Sequence, residues 1–127
     1  MRAPTTRLVY VTCPDMNLAT QLADTVVSER LAACANLLPG MQSIYRWKGV
    51  IEHGQEVVVI FKTTTARAHQ LRERIRALHP YEIPCIVELP IIGGHAPFLA
   101  WVANEAADET AAPAKPAKRA KARKIST

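Results

Sequence analysis

The dipeptide Lys48-Gly49 stands between two runs of strand-forming residues, Met41–Trp47 before it and Val50 onward after it, and the whole reads as one long β-hairpin. Ala35–Pro39 leads into the first arm. The second arm passes through His53-Gly54, where a bulge is expected, into Glu56–Thr63. The unbroken apolar character of that last run predicts a central strand buried on both faces.

The segments on either side of the hairpin alternate between period 2 and period 3.6. Arg7–Thr12 is β-branched and aromatic and is predicted as a strand ending at Pro14. Asp15 is placed to cap a helix in which Leu18, Leu22, Val26 and roughly Arg30 recur, with Ala19 and Ala23 beside them, as far as about Leu31. Thr64 or Thr65 caps a second helix. Its apolar face is Ala68, Leu71, Ile75 and Leu78, with Arg72, Glu73, Arg74 and Arg76 turned mostly to water, and His79-Pro80 ends it. A final strand is predicted over Cys85–Ile92, stopped by Gly93-Gly94. Pro97 then opens a short helix through Phe98, Trp101, Val102 and Glu105.

The resulting order, βαββαβ plus a C-terminal helix, predicts an α+β domain with a ferredoxin-like antiparallel sheet and both main helices on one face. The other face needs a cover. Because Ile44, Tyr45 and Trp47 on the hairpin are large and apolar, further copies of the same chain are the expected cover, so self-association is predicted from pattern alone.

Charge divides the chain into two parts. Of its sixteen Lys and Arg, Lys115, Lys118, Arg119, Lys121, Arg123 and Lys124 all fall in the last thirteen residues, so the net charge of +5 belongs to the tail. Residues 1–109 hold ten Lys and Arg against eleven Asp and Glu, a net of −1. Residues 110–127 are mostly Ala, Lys, Pro and Arg, with Ile125 as the one large apolar residue. They are read as a disordered basic tail after a domain spanning 1–109. The sequence has neither an apolar leader after Met1 nor about 18 consecutive apolar residues, so a cytoplasmic protein without a membrane span is expected. Cys13, Cys34 and Cys85 are odd in number and lack zinc-type pairing; free thiols are expected in a reducing compartment.

Several motifs resemble the CutA family: Thr-Cys-Pro-Asp at 12–15, Leu-Ala-Ala-Cys-Ala-Asn at 31–36, Ser-Ile-Tyr-Arg-Trp-Lys-Gly at 43–49, Phe-Lys-Thr at 61–63, His-Pro-Tyr-Glu-Ile-Pro at 79–84 and Phe-Leu-Ala-Trp at 98–101. The likeness covers about residues 6–105. It implies a ferredoxin-like homotrimer interlocked through the hairpin and C-terminal segment, a link to divalent-cation tolerance, copper above all, and no defined reaction. Two positions depart from the family pattern. Cys85 stands where Glu is usual, and the tail has no counterpart. Copper ligation in such proteins implies a thiol near the end of the first strand and the histidine before Pro-Tyr. The histidine matches His79, whereas the thiol position aligns with Val11 and the cysteine here is two places later, at Cys13.

Thiolate and imidazole are the donors a cuprous or thiophilic ion prefers, so Cys13, Cys34, Cys85 and His79 are the candidate ligands for copper or another divalent cation, with no metal required for folding. Each also has a plain structural reading. Unpaired cysteines such as Cys34 pack as small hydrophobes, and His79 follows a helix whose terminal carbonyls it can meet.

Arg46, Trp47, Lys62, Tyr81 and Glu82 form a second set, suited to a small-molecule cleft or a subunit interface, and a Lys62–Glu82 ion pair would account for two of them structurally. No nucleophile elbow, phosphate loop or two-histidine zinc motif occurs. His53, His69 and His95 are placed in turns or on a polar helix face, so no catalytic residue is assigned. The function expected is non-enzymatic metal tolerance by a homotrimer that binds metal ions. The alternative is a PII-like trimer sensing a small molecule in a cleft between subunits. Nucleic acid is expected to contact only the basic tail, through phosphate attraction.

Overall fold

The computed structural model describes residues 5–108. The basic tail at 110–127 lies outside the described residues. Seven elements follow in order: β1 (Thr6–Cys13), α1 (Met16–Ser28), β2 (Cys34–Trp47), β3 (Val50–Thr64), α2 (Thr65–Leu78), β4 (Ile86–Pro90) and α3 (Ala96–Glu105). The four strands form one antiparallel sheet in the order β2-β3-β1-β4, the ferredoxin-like arrangement expected from the sequence.

Alternation along the strands assigns the two sheet faces. Val9, Val11 and Cys13 of β1, with Val57, Val59 and Phe61 of β3, join Ala19, Leu22 and Val26 of α1 and Leu71 and Ile75 of α2 in one buried cluster. That is the helix-covered face. Val58 is buried along with Val57 and Val59, but Ile60 and Lys62 on the same face as Val58 are only half-buried, so the central strand is enclosed on both sides only in part. Much of the opposite face is open: Val87 and Leu89 of β4 and Leu38 of β2 are about half exposed; on the hairpin, Ile44 is 69% exposed.

The turn of the hairpin is set by Lys48 at φ 50° and Gly49 at φ 81°, two left-handed residues that match the twist of the paired strands. The irregularity in this ribbon is not at His53-Gly54. His53 pairs with Ile44 and Gly54 with Ser43 in unbroken register, which places His53 in a strand and not in a turn. The register shifts instead between Leu38 and Met41. There Pro39 has no N–H for the ladder and Gly40 takes φ 78°.

Asp15 caps α1, its carboxylate accepting from the Leu18 amide at 2.8 Å. The helix ends at Ser28, three residues before the expected Leu31, because Arg30 turns to φ 61° and the Leu31 amide folds back to the Val26 carbonyl. Arg30 is thus not on the apolar stripe. Its side chain binds the carbonyls of Asn104 and Ala107 at 2.7 and 3.1 Å, which fastens the end of α3. Thr64 caps α2, accepting from the Arg67 amide at 3.2 Å. Leu78 departs from the predicted face and is 37% exposed. The arginines of α2 are not simply solvated: Arg74 pairs with Glu29, and Arg72 Nε lies 2.9 Å from Glu88, close but poorly aligned as a hydrogen bond. β4 is shorter than predicted and excludes Cys85, Ile91 and Ile92, although the Ile91 amide still reaches the Thr6 carbonyl at 3.1 Å.

Candidate functional site

The two ends of the sheet differ. At one end β1 finishes at Cys13, α2 finishes at Leu78 and the loop 79–85 turns back into β4; at the other, α1 ends and α2 begins. The hairpin overhangs the first end, because β3 continues seven residues beyond Val57, the partner of Cys13. Overhang, sheet and loop enclose a groove of about 580 Å³ on the open face, a size suited to a small organic ligand.

At the centre of this groove is Glu56. Its carboxylate accepts hydrogen bonds from the Ser43 hydroxyl at 2.5 Å and the Tyr81 hydroxyl at 2.9 Å. Ser43 stands on β2 at the register of Gly54, and Tyr81 comes from the loop after α2. Partial burial, and then the neighbouring carboxylate that its hydroxyl bonds, push Tyr81 up to about 12, so it remains a donor to Glu56 at neutral pH.

His79 anchors the loop. It is buried beneath Tyr81, with ring centres 4.7 Å apart. Its Nδ1 accepts from the Tyr81 amide at 3.2 Å, so the other nitrogen, Nε2, is the donor to the Thr12 carbonyl at 2.8 Å. Both ring nitrogens are therefore occupied within the fold. A metal ion needs one of those lone pairs and would have to break a buried hydrogen bond to obtain it.

The three cysteines do not converge. Cys13 belongs to the helix-covered core and is fully buried. Burial, then the nearby carboxylates of Glu56 and Asp15, raise its thiol to about 11. Cys85 is exposed and lines the groove, where it shares a side-chain hydrogen bond with Thr12. Burial of its sulfur also raises it, against the opposite pull of that bond. Cys34 faces Lys62 across the β2–β3 ladder, five positions along β3 from the partner of Cys13, roughly 16 Å at about 3.3 Å per residue. None of the three cysteines forms a disulfide, and among the described residues no group of three or more His, Cys, Asp or Glu is arranged to hold a metal.

Of the second predicted set, Trp47, Tyr81 and Glu82 line the groove, and Arg46 and Lys62 do not. Arg46 alternates to the other side of the hairpin, opposite Ile51. The expected Lys62–Glu82 pair does not form, because these residues lie toward opposite ends of the sheet; the Lys62 ammonium donates to the Asn36 side-chain carbonyl instead. Sequence reasoning missed Glu56, Tyr10 and Met41. The available signal was register: Met41 pairs with Glu56, and Tyr10 is on the face opposite Val9 and Val11.

Comparison with known proteins places these features in a wider group. The profile described as "CutA1 divalent ion tolerance protein" matches residues 7–105. The divalent-cation tolerance protein CutA of Thermus thermophilus is 46% identical over 95 residues, 75% of this chain and 92% of that protein. Protein CutA of Homo sapiens is 44% identical over 93 residues, 73% of this chain, but the chain spans only 52% of its length. Among solved structures, the Thermus thermophilus protein superposes with a TM-score of 0.77 at 44% identity, covering 79% of this chain and 97% of that one. A structure titled periplasmic divalent cation tolerance protein CutA, from Archaeoglobus fulgidus, gives 0.78 at 32% identity, covering 80% and 99%.

Proposed function

Because the chain belongs to the CutA1 divalent ion tolerance family, we propose that it supports divalent-metal tolerance as a homotrimer and catalyses no reaction of its own. The observation that carries this reading is the family match across residues 7–105, nearly the whole described domain. The trimer draws support from the apolar side chains left half exposed on the sheet, Val87, Leu89 and Leu38 among them, and from the overhanging hairpin. Three cysteines outside any disulfide suit the reducing cytosol, the compartment assigned here.

Copper or another thiophilic cation is the proposed ligand. Among Cys13, Cys34, Cys85 and His79, only Cys85 is exposed, and its groove adds the Met41 thioether and the Glu56 carboxylate. Metal contact is therefore assigned to Cys85, with His79 and Cys13 holding the fold. Calorimetric titration of the full-length protein with cuprous ion tests the assignment: Cys85→Ser is expected to weaken binding at least tenfold, and unchanged affinity in that variant overturns it.

The groove itself favours a second reading, a PII-like trimer that senses a small molecule. Its volume and its aromatic walls, including Trp47 and Tyr81, are those of a ligand cleft. A thermal-shift screen of metabolites separates this reading from metal binding. Nucleic-acid contact is assigned to residues 110–127 alone, through their six positive charges.

A further inference from the structure

The groove is acidic and aromatic at once. Glu56 and Glu82 line it, and among the described residues no Lys, Arg or His does. The two hydrogen bonds to Glu56 come from neutral hydroxyls, so its negative charge has no cationic partner among the described residues. A carboxylate offers about four acceptor positions, of which these donors take two.

Three tyrosines, Tyr10, Tyr45 and Tyr81, line the groove; the Tyr81 hydroxyl bonds this carboxylate, and Tyr45 is close enough to act electrostatically on Tyr81. Their faces attract positive charge, and a diffuse cation with an apolar body gains from them where a strongly hydrated metal ion does not. The Trp47 ring already meets the Lys48 ammonium at 5.7 Å, which leaves the tyrosines as the main walls. The field of Glu56 is felt by the groups around it: it contributes to the upward displacement of Tyr81, Cys85 and Cys13 alike.

We propose that the groove binds a small organic ammonium ion, its charge on the Glu56 carboxylate and its apolar body against the aromatic wall of Tyr45 and Tyr81. This rests on the second reading above, the small-molecule sensor, and names the charge and shape of its effector.

Choline is the probe, with its neutral carbon isostere, in which carbon replaces nitrogen, as the control. Calorimetry on the full-length protein is expected to give binding of choline at least tenfold tighter than of the isostere. Glu56→Gln should lower choline affinity at least tenfold with melting and light scattering unchanged, and Glu56→Asp should retain part of it. Equal binding of the isostere, undetectable choline binding, or full affinity in Glu56→Gln overturns the proposal. Dissociation of the assembly by Glu56→Gln also overturns it, since the carboxylate would then be receiving a cation from a neighbouring copy. If neutral or anionic metabolites raise the melting temperature and ammonium compounds do not, the sensor reading survives and the ligand charge assigned here is wrong. If no compound of any class does so, the sensor reading fails as well.

Discussion

His79 is bonded through Nε2 to the carbonyl of Thr12, 2.8 Å away, and so ties the end of α2 to the last turn of β1 beneath the groove. Its other nitrogen holds the Tyr81 amide, and Tyr81 holds Glu56. His79→Ala leaves a buried carbonyl and an amide without partners, and is expected to cost about 2 kcal/mol in denaturant unfolding. Its cuprous-ion affinity should match that of the parent protein. A large loss of metal affinity with little loss of stability would instead make His79 a ligand.

The Cys13 thiol gives an alkaline signature. Burial is the main cause of its rise from 9.0 to about 11, so the folded state holds its proton more tightly than the unfolded chain does. Stability from this group is complete below pH 9 and is lost as pH rises toward 11, by about 3 kcal/mol at most. Tyr81 acts in the same direction between 10.0 and about 12. Urea midpoints should fall across this range, and Cys13→Ala should flatten the lower part of the fall. Alkylation at pH 8 should label Cys85 well before Cys13.

Val87 stands on the open face opposite Tyr10 and is 48% exposed. Val87→Lys is therefore expected to leave circular dichroism unchanged while converting the proposed trimer to monomer in light scattering. A trimer that survives this change, and Leu89→Lys as well, is not built through this face.

Arg30 sets two effects against each other. Arg30→Gly relieves a left-handed φ, a gain of about 1 kcal/mol. It also removes two guanidinium bonds to the Asn104 and Ala107 carbonyls, each contributing roughly 1.5 kcal/mol or more. The bonds outweigh the strain. Amide exchange in α3 should accelerate at least tenfold, with the sheet little affected.

Deleting residues 110–127 changes the net charge from +5 to −1. Retention on heparin is expected to disappear, and the nucleic-acid affinity of the full chain should fall steeply with salt. Stability should be unaffected; a loss of several kcal/mol would mean that these residues pack on the domain.

The element order and the turn at Lys48-Gly49 were legible because short-range rules govern them: a period of 2 or 3.6, a cap, a positive φ. The expected bulge went to His53-Gly54 because glycine was the visible cue. The missing amide of Pro39 beside Gly40 acts on the ladder directly and places it between Leu38 and Met41. The four metal candidates were chosen by residue type, and type does not reveal face. Cys13 and Cys85 belong to opposite sides of the sheet, a consequence of alternation on β1 and of the loop feeding β4. Lys62 and Glu82 were paired by charge, but antiparallel register carries them to different ends. Glu56, which centres the groove, is an isolated acid before a valine run, and only its pairing with Met41 gives it meaning.

The described chain nearly closes on itself. The Thr65 amide at the start of α2 bonds the carbonyl of Thr5, and Asp108 approaches Arg67 two residues further on, at 4.0 Å. First and last described residues thus both contact the first turn of one helix, while the Lys48-Gly49 turn is at the far tip of the hairpin. Joined there by a short bridge, the domain becomes a ring, and its linear order becomes a matter of where the ring is opened. A circular permutant cut at an exposed turn retains every strand pairing, which makes this a scaffold whose beginning can be relocated without redesigning its core.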